Sequence, residues 1–286
     1  MIFHNETAEI FVPDGVSVEE AFARTTRMGI AAHQDDLEIS CYHGIEACFG
    51  AKDEWFLGVI VTNGAGSPRA GRYESFSDAE MQAVRRIEQK KAAYIGEYSA
   101  VVLLDYPSSA VKDADNLSPV SDIKQLLTAA KPSVVYTHNL ADKHDTHVAV
   151  ALRAVQAMRE LPENDRPSAV YGCESWRDLD WLPDNDKVVF DVSERENLAA
   201  ALLGVFDSQI CGGKRYDLAA MARRRANATF YESHSVDKSE SVIYAMNLTQ
   251  LINKPEITPE EYVGEFIKKL EQDVVERISK FSRKNT

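Results

Sequence analysis

Met28 to Cys41, MGIAAHQDDLEISC, is a short apolar run, then His33, Asp35 and Asp36 together, then a new amphipathic pattern. This predicts a buried strand that ends at His33 and turns at once into a helix. In a parallel α/β sheet, ligands bind in the crevice beyond the carboxyl ends of the strands, so three ionisable groups at that edge need a chemical reason. An imidazole and a carboxylate can bind a borderline-soft cation such as zinc, while the neighbouring carboxylate stays free to move a proton. The plainer reading is that Asp35 or Asp36 caps the helix by accepting a backbone N–H. A three-ligand metal site needs a further His from the end of another strand.

Thr137–Met158 supplies candidates. An apolar run, Val134–Thr137, leads into His138, Asp142, His144, Asp145 and His147, followed by Val148, Leu152, Val155 and Met158 at helical spacing. His144 and His147 lie three apart at a helix start and can face the same point. The chain has only seven histidines and three of them fall within these ten residues, which surface composition does not explain. Helix caps and solvated polar residues remain the plainer alternative.

Outward from these two stretches, strands and helices alternate. A lead-in strand falls around Ile10–Val12 and a surface turn or short helix over Ser17–Arg27. Leu37, Ile39, Ile45 and Phe49 recur on one helix face that stops at Gly50. Strands follow at Trp55–Val61 and Ala100–Asp105, separated by a helix from Asp78 to Tyr98 with Ser77 or Asp78 as its N-cap. A helix at Asp122–Ala130 precedes the strand Val134–Thr137. Later strands are Ser168–Ser175, which carries Glu174, Lys187–Val192 and Ser241–Leu248. Later helices are Glu194–Phe206, Tyr216–Tyr231, whose Arg223, Arg224 and Arg225 read as a solvated face, and Thr258–Ser282, which opens with a T-P-E-E cap. This alternation predicts an α/β, doubly wound, mainly parallel sheet with its strand ends on one edge. The whole chain, 1–286, reads as a single domain with a C-terminal helical extension from about 255.

The loop Asn63–Gly71 offers a competing motif. Gly64 and Gly66 resemble the start of a dinucleotide fingerprint, but Arg69 replaces its third glycine and Pro68 occupies the place of the helix start. Arg69 and Arg72 suit a substrate-facing lid that would attract an anionic group.

Bulk properties narrow the function. With Lys+Arg 32 against Asp+Glu 45 the net charge is -13, which disfavours nucleic acid as a partner. Cys41, Cys48, Cys173 and Cys211 show no paired spacing and read as buried free thiols in a reducing compartment. The N-terminus has no basic region followed by an apolar core, and no apolar run reaches the length of a membrane span. The expectation is a soluble, cytoplasmic protein with a small-molecule substrate, no membrane partner, and a surface compatible with homo-oligomers.

Ala32-His33-Gln34-Asp35-Asp36 resembles the A-H-P-D-D motif of the LmbE-like, or PIG-L, zinc-dependent N-deacetylases, and His144-Asp145-Thr146-His147 resembles their H-x-x-H. Val84-Arg85-Arg86-Ile87-Glu88 is similar to the family's R-R-x-E helix, and the likeness extends over most of Arg27 to Gln209. It implies a Rossmann-like three-layer sandwich, the LmbE-like deacetylase fold. It further implies zinc, or another divalent metal, held by His33, Asp36 and His147, with Asp35 as general base and His144 as acid or oxyanion partner. The activity implied is removal of an N-acetyl group from an amino sugar or N-acetylglucosaminyl conjugate by zinc-activated water. The alternative is a non-catalytic member that binds a sugar or a partner. Substrate contacts are expected from Arg69, Arg72 and Glu174. Three departures bear on this. Gln34 replaces the Pro and should loosen the turn; Thr146 replaces an Asp, so tuning of His144 would come from Asp145 or Asp142; and Phe206-Asp207-Ser208-Gln209 matches H-x-S-Q without its His.

Overall fold

The computed structural model describes residues 1–282. Eight strands, β1 (Glu9–Phe11), β2 (Arg27–Ala31), β3 (Phe56–Thr62), β4 (Ala100–Tyr106), β5 (Val134–His138), β6 (Ala169–Cys173), β7 (Lys187–Asp191) and β8 (Val242–Asn247), form one sheet in the order β1-β4-β3-β2-β5-β6-β8-β7. The helices are α1 (Val18–Ala23), α2 (Asp36–Ser40), α3 (Tyr42–Cys48), α4 (Asp78–Ile95), α5 (Ser108–Lys112), α6 (Ser118–Ala130), α7 (Asp145–Arg159), α8 (Glu196–Gly204), α9 (Asp207–Ile210), α10 (Tyr216–Phe230), α11 (Thr249–Asn253) and α12 (Pro259–Phe281).

The central strands β4, β3, β2, β5 and β6 are parallel. Antiparallel β1 closes one edge, and β8 runs antiparallel between β6 and β7 at the other. This is the mixed, mainly parallel α/β sheet that the alternation of strands and helices predicts. Alternate residues of each strand enter opposite cores: Met28, Ile30, Leu57, Val59 and Val102 pack on one face, and Ala31, Phe56, Ile60, Val101 and Leu103 on the other. Strands buried on both faces read as continuous apolar runs, which is why the sequence shows them plainly.

From β2 the chain winds outward through β3 and β4, then returns to place β5 on the other side of β2. The order reverses between β2 and β5, and a crevice opens at their carboxyl ends. Both histidine-bearing stretches leave the sheet there.

Local signals hold at the long helices. Ser77 and Thr258 form capping boxes with Glu80 and Glu261, and Gly50 at φ 70° follows α3. The single helix expected over 36–49 is instead two, broken at Cys41. Arg224 donates from Nη2 to the carbonyls of Glu38 at 2.7 Å and Ile39 at 3.1 Å, acceptors that a continuous helix would use for its next turn. Arg224 is thus buried, with its guanidinium 4.7 Å from the Tyr42 ring centroid, rather than solvated as its charge run suggests. Cys41, Cys48 and Cys173 are buried free thiols, whereas Cys211 is exposed. Among the described residues, no helix is long and apolar enough to cross a membrane.

Candidate active site

His33 and Asp36 follow the end of β2 at Ala31 within five residues. Asp35, between them, adopts φ 91°, ψ -28°, a left-handed conformation costly for a residue with a Cβ, and its side chain caps nothing. The cap reading of Asp35 therefore fails. The strained turn is pinned from three sides. Asp35 N–H donates to Gln89 Oε1 at 3.2 Å, Arg85 Nη2 donates to the Gln34 carbonyl at 2.6 Å, and Gln34 Nε2 donates to the Thr62 carbonyl at 3.3 Å. Gln34 thus ties the turn to the end of β3 instead of loosening it. Arg85 also donates to Ser67 Oγ and lies 3.5 Å from Asp35 Oδ2.

Asp36 Oδ2 is the focus of the site. It lies 3.1 Å from His33 Nδ1, 3.3 Å from His147 Nε2 and 3.5 Å from His138 Nε2, and it accepts the His33 backbone N–H at 2.7 Å. His138 Nε2 accepts the Ala32 N–H at 2.9 Å, so this histidine braces β2 against β5. His147 is fully buried, with Nδ1 3.3 Å from Asp142 Oδ2. Asp142 also accepts backbone N–H groups from His144, Trp176 and Arg177, joining the β5–α7 and β6–β7 loops through one carboxylate.

These residues fit a metal ion. His147 Nδ1 lies against Asp142 Oδ2, and its buried Nε2, which has no hydrogen-bond partner, faces Asp36 Oδ2 at 3.3 Å. A cation between the ring nitrogen and the carboxylate, a proton or in its place a metal ion, would satisfy both. Donor atoms of His33, Asp36 and His147 all lie within 4.8 Å of one another. Two nitrogens and a carboxylate oxygen form a donor set that suits zinc and leaves a coordination position open. The field points the same way. Burial opposes the imidazolium form of His147, yet the Asp36 and Asp142 carboxylates raise its pKa to about 9.

The two adjacent carboxylates are driven apart. Burial raises the Asp35 carboxyl well above the usual range against the opposing pull of Arg85. Burial acts on Asp36 too, but His147 and His138 outweigh it and hold Asp36 well below that range. Such splitting separates a proton carrier from a permanent anion. His144 stacks on His147 at a centroid distance of 4.4 Å and meets the edge of His33 at 5.0 Å. Burial, then His147 and His33, lower its pKa to about 4, so it is neutral. Of the two carboxylates expected to tune it, Asp145 and Asp142, Asp142 holds the His144 backbone and the His147 ring and opposes the lowering only as the smallest of these influences.

A cavity of about 660 Å³ joins these groups. It is lined by His33, Asp35, Asp36 and Arg85, by Gly64, Gly66, Ser67 and Pro68 of the loop after β3, by Ser108, Lys112, Lys143, His144 and Thr146, and by Ser175, Trp176, Gln209, Lys214, Tyr216 and Arg223. Arg69 and Arg72 do not line it. Arg69 spends its donors on the Phe76 carbonyl at 2.9 Å, the Ala65 carbonyl at 2.7 Å and Asp78, while Arg72 is 71% exposed and 3.6 Å from Asp207. Nor does Glu174, whose buried carboxylate accepts from Tyr244 N, Leu179 N and Asn227 Nδ2 and braces β6 against β8 and α10. The loop 63–71 leads only to a single 3-10 turn, Gly71–Tyr73, so no helix N-terminus faces a nucleotide phosphate there. Sequence reading missed Trp176, Lys214, Tyr216 and Arg223, which carry no local motif. Arg85 and Glu88 were signalled by the R-R-x-E spacing, which buries both on one face of α4; Glu88 accepts Ser208 N–H and Oγ–H at 2.8 and 2.6 Å.

Residues 28–158 match the model of the PIG-L family, described as GlcNAc-PI de-N-acetylase. No curated protein sequence matches the chain. Among solved structures, a conserved protein of Thermus thermophilus is 18% identical, with 77% of this chain and 93% of that one covered at a TM-score of 0.59. The N,N'-diacetylchitobiose deacetylase of Pyrococcus horikoshii is 18% identical, covering 78% and 84% at 0.57. The 4-carboxy-2-hydroxymuconate hydratase of Pseudomonas putida is 16% identical, covering 78% and 95%, also at 0.57. The fold is thus shared by a deacetylase and by a hydratase, and the residues at the crevice must decide the chemistry.

Proposed function

We propose that this protein is a metal-dependent N-deacetylase that hydrolyses the acetamide of an amino-sugar conjugate. One observation carries the reading: donor atoms of His33, Asp36 and His147 lie within 4.8 Å of one another, and His33 and Asp36 line one cavity with Asp35 and His144. The PIG-L match and the likeness to a chitobiose deacetylase support the same reaction class and an N-acetylated sugar as substrate.

His33, Asp36 and His147 would hold zinc or another divalent ion. When bound, that ion supplies Lewis acidity and brings the pKa of a water towards ~7. Asp35 accepts the proton of the attacking water; burial has already raised its proton affinity, and the turn held by Arg85 and Gln89 points it into the cavity. Neutral His144 presents an N–H to the oxygen that gains charge as the amide carbonyl becomes tetrahedral. Asp35 then returns its proton to the departing amine as the C–N bond breaks, releasing acetate and the free amino sugar. Asp142 keeps His147 in the tautomer that binding needs.

Protein purified without chelator tests this through metal content and amine release from N-acetylglucosamine conjugates. About one metal per chain with amine release supports it. Metal-replete protein that binds the conjugates without releasing amine would establish the non-catalytic alternative. Stoichiometric metal retained by His147→Ala would overturn the ligand assignment.

A further inference from the structure

We infer that Gln209 is a specificity-determining residue of this site: its side-chain oxygen is a fixed acceptor in the cavity that selects a substrate presenting a hydroxyl near the reacting acetamide. The inference rests on the deacetylase reading and adds a residue to it. Gln209 lines the cavity with Asp35, Asp36 and His144, yet it is only 3% exposed. Its Nε2 donates to Ser208 Oγ at 3.3 Å, whereas its Oε1 accepts no hydrogen bond from the described residues. Solvent still reaches Oε1, and for a residue this buried the opening is the cavity that it lines.

The direction of this amide is set by a chain of donors and acceptors that starts on α4. Glu88, one turn after the Arg85 that faces Asp35, accepts the Ser208 backbone N–H at 2.8 Å on Oε1 and the Ser208 hydroxyl at 2.6 Å on Oε2. Burial raises the Glu88 carboxyl, while the two Ser208 donors and Arg85 favour its charged form, which can only accept. The Ser208 hydroxyl therefore gives its proton to Glu88 and keeps its lone pairs for Gln209. A lone pair calls for an N–H, so Nε2 turns to Ser208 and Oε1 is left to the cavity. Glu88 and Ser208 are both buried, which shields the chain from competing water. The Gln209 carbonyl accepts the Lys214 backbone N–H at 2.8 Å, so the same residue anchors the stretch that brings Lys214 and Tyr216 to the cavity. An acceptor held in this way cannot rotate to offer an N–H instead. A substrate hydroxyl pairs with it, whereas an analogue with hydrogen in that place leaves it desolvated and unpaired. The N–H of the acetamide is common to every substrate of the reaction and cannot discriminate among them; a sugar hydroxyl can.

The test compares methyl N-acetylglucosaminide with its 3-deoxy, 4-deoxy and 6-deoxy forms on the metal-replete full chain, following kcat/KM for amine release together with metal content. In the parent, one deoxy form should fall by about tenfold or more. Gln209→Met, close in size and without the acceptor, should narrow that gap to about twofold with metal content unchanged. Glu88→Gln tests the polarity of the chain. Its amide accepts the Ser208 N–H and donates to the Ser208 hydroxyl, which then donates to Gln209 Oε1 and turns Nε2 to the cavity. The O-methyl ether at the selected position accepts but cannot donate, so its rate relative to the deoxy form should rise by about fivefold or more over the parent ratio. A merely structural role of Glu88 would move both analogues alike, and an unchanged ratio would overturn the assigned polarity. Discrimination that survives Gln209→Met, or a parent that treats every deoxy form like the full glycoside, would overturn the inference while the deacetylase reading stands. A parent that releases amine from none of the glycosides overturns the deacetylase reading, and the inference with it.

Discussion

Asp142→Asn perturbs the site without touching a donor atom of the proposed metal triad. Asp142 Oδ1 accepts from His144 N at 3.2 Å and Arg177 N at 3.3 Å; Oδ2 accepts from Trp176 N at 3.2 Å and lies 3.3 Å from His147 Nδ1. An asparagine has one acceptor oxygen for these four contacts. If its NH₂ faces His144 and Arg177, two backbone donors lose their acceptor. If it faces His147, the imidazole must offer Nδ1 as acceptor and carry its proton on Nε2, at the point where a cation would sit. Two charge-assisted hydrogen bonds are lost either way. Each is worth roughly 1.5–3 kcal/mol, which sets a stability loss of about 3–6 kcal/mol, or roughly 5–12 °C in Tm for a chain of this size. Metal affinity should fall about 10- to 100-fold, as when the orienting partner of a ligating histidine is removed. Competition with a chromophoric chelator gives the affinity, and nitrogen NMR of the His147 ring gives the tautomer. Metal binding within about twofold of the parent, with Nδ1 still protonated, would refute the reasoning.

Asp35→Asn should keep its metal and lose about 10²-fold or more in kcat; turnover like the parent's would reduce Asp35 to a strained loop residue. Arg224→Leu strands the Glu38 and Ile39 carbonyls and should cost about 2–4 kcal/mol in denaturant unfolding, whereas Arg225→Leu, in an exposed pair with Glu196, should cost less than about 1 kcal/mol. Equal losses would restore the solvated-face reading. Burial pushes the Glu174 carboxyl from 4.5 up to about 7, so the folded protein keeps a proton that the unfolded chain has released. Stability should therefore fall as pH rises from about 4.5 to about 7, by at most about 3 kcal/mol from this group, and Glu174→Gln should flatten that part of the profile. A pH dependence identical in parent and variant would count against it.

The strands, the long helices and the clusters after β2 and β5 could be read from the sequence because each is local. Strands buried on both faces are runs of apolar residues, capping boxes span four residues, and His33 with Asp36 or His144 with His147 need only a spacing of three at a strand end. What the sequence could not order was set by contacts between distant residues. Asp142 holds Trp176 from 34 residues away, and Arg224 takes the Glu38 carbonyl from 186 away, breaking a helix that periodicity alone predicts as continuous. Arg69 shows the converse: its loop position suggests a cavity, yet nearby carbonyls and Asp78 claim its donors. The cations that do face the crevice lie on α4, α5, the β5–α7 loop and the α9–α10 region, brought together only because the strand order reverses between β2 and β5. Residue type and spacing determine which groups can bind a metal or move a proton; the winding of the chain around that reversal decides which of them share one volume of space.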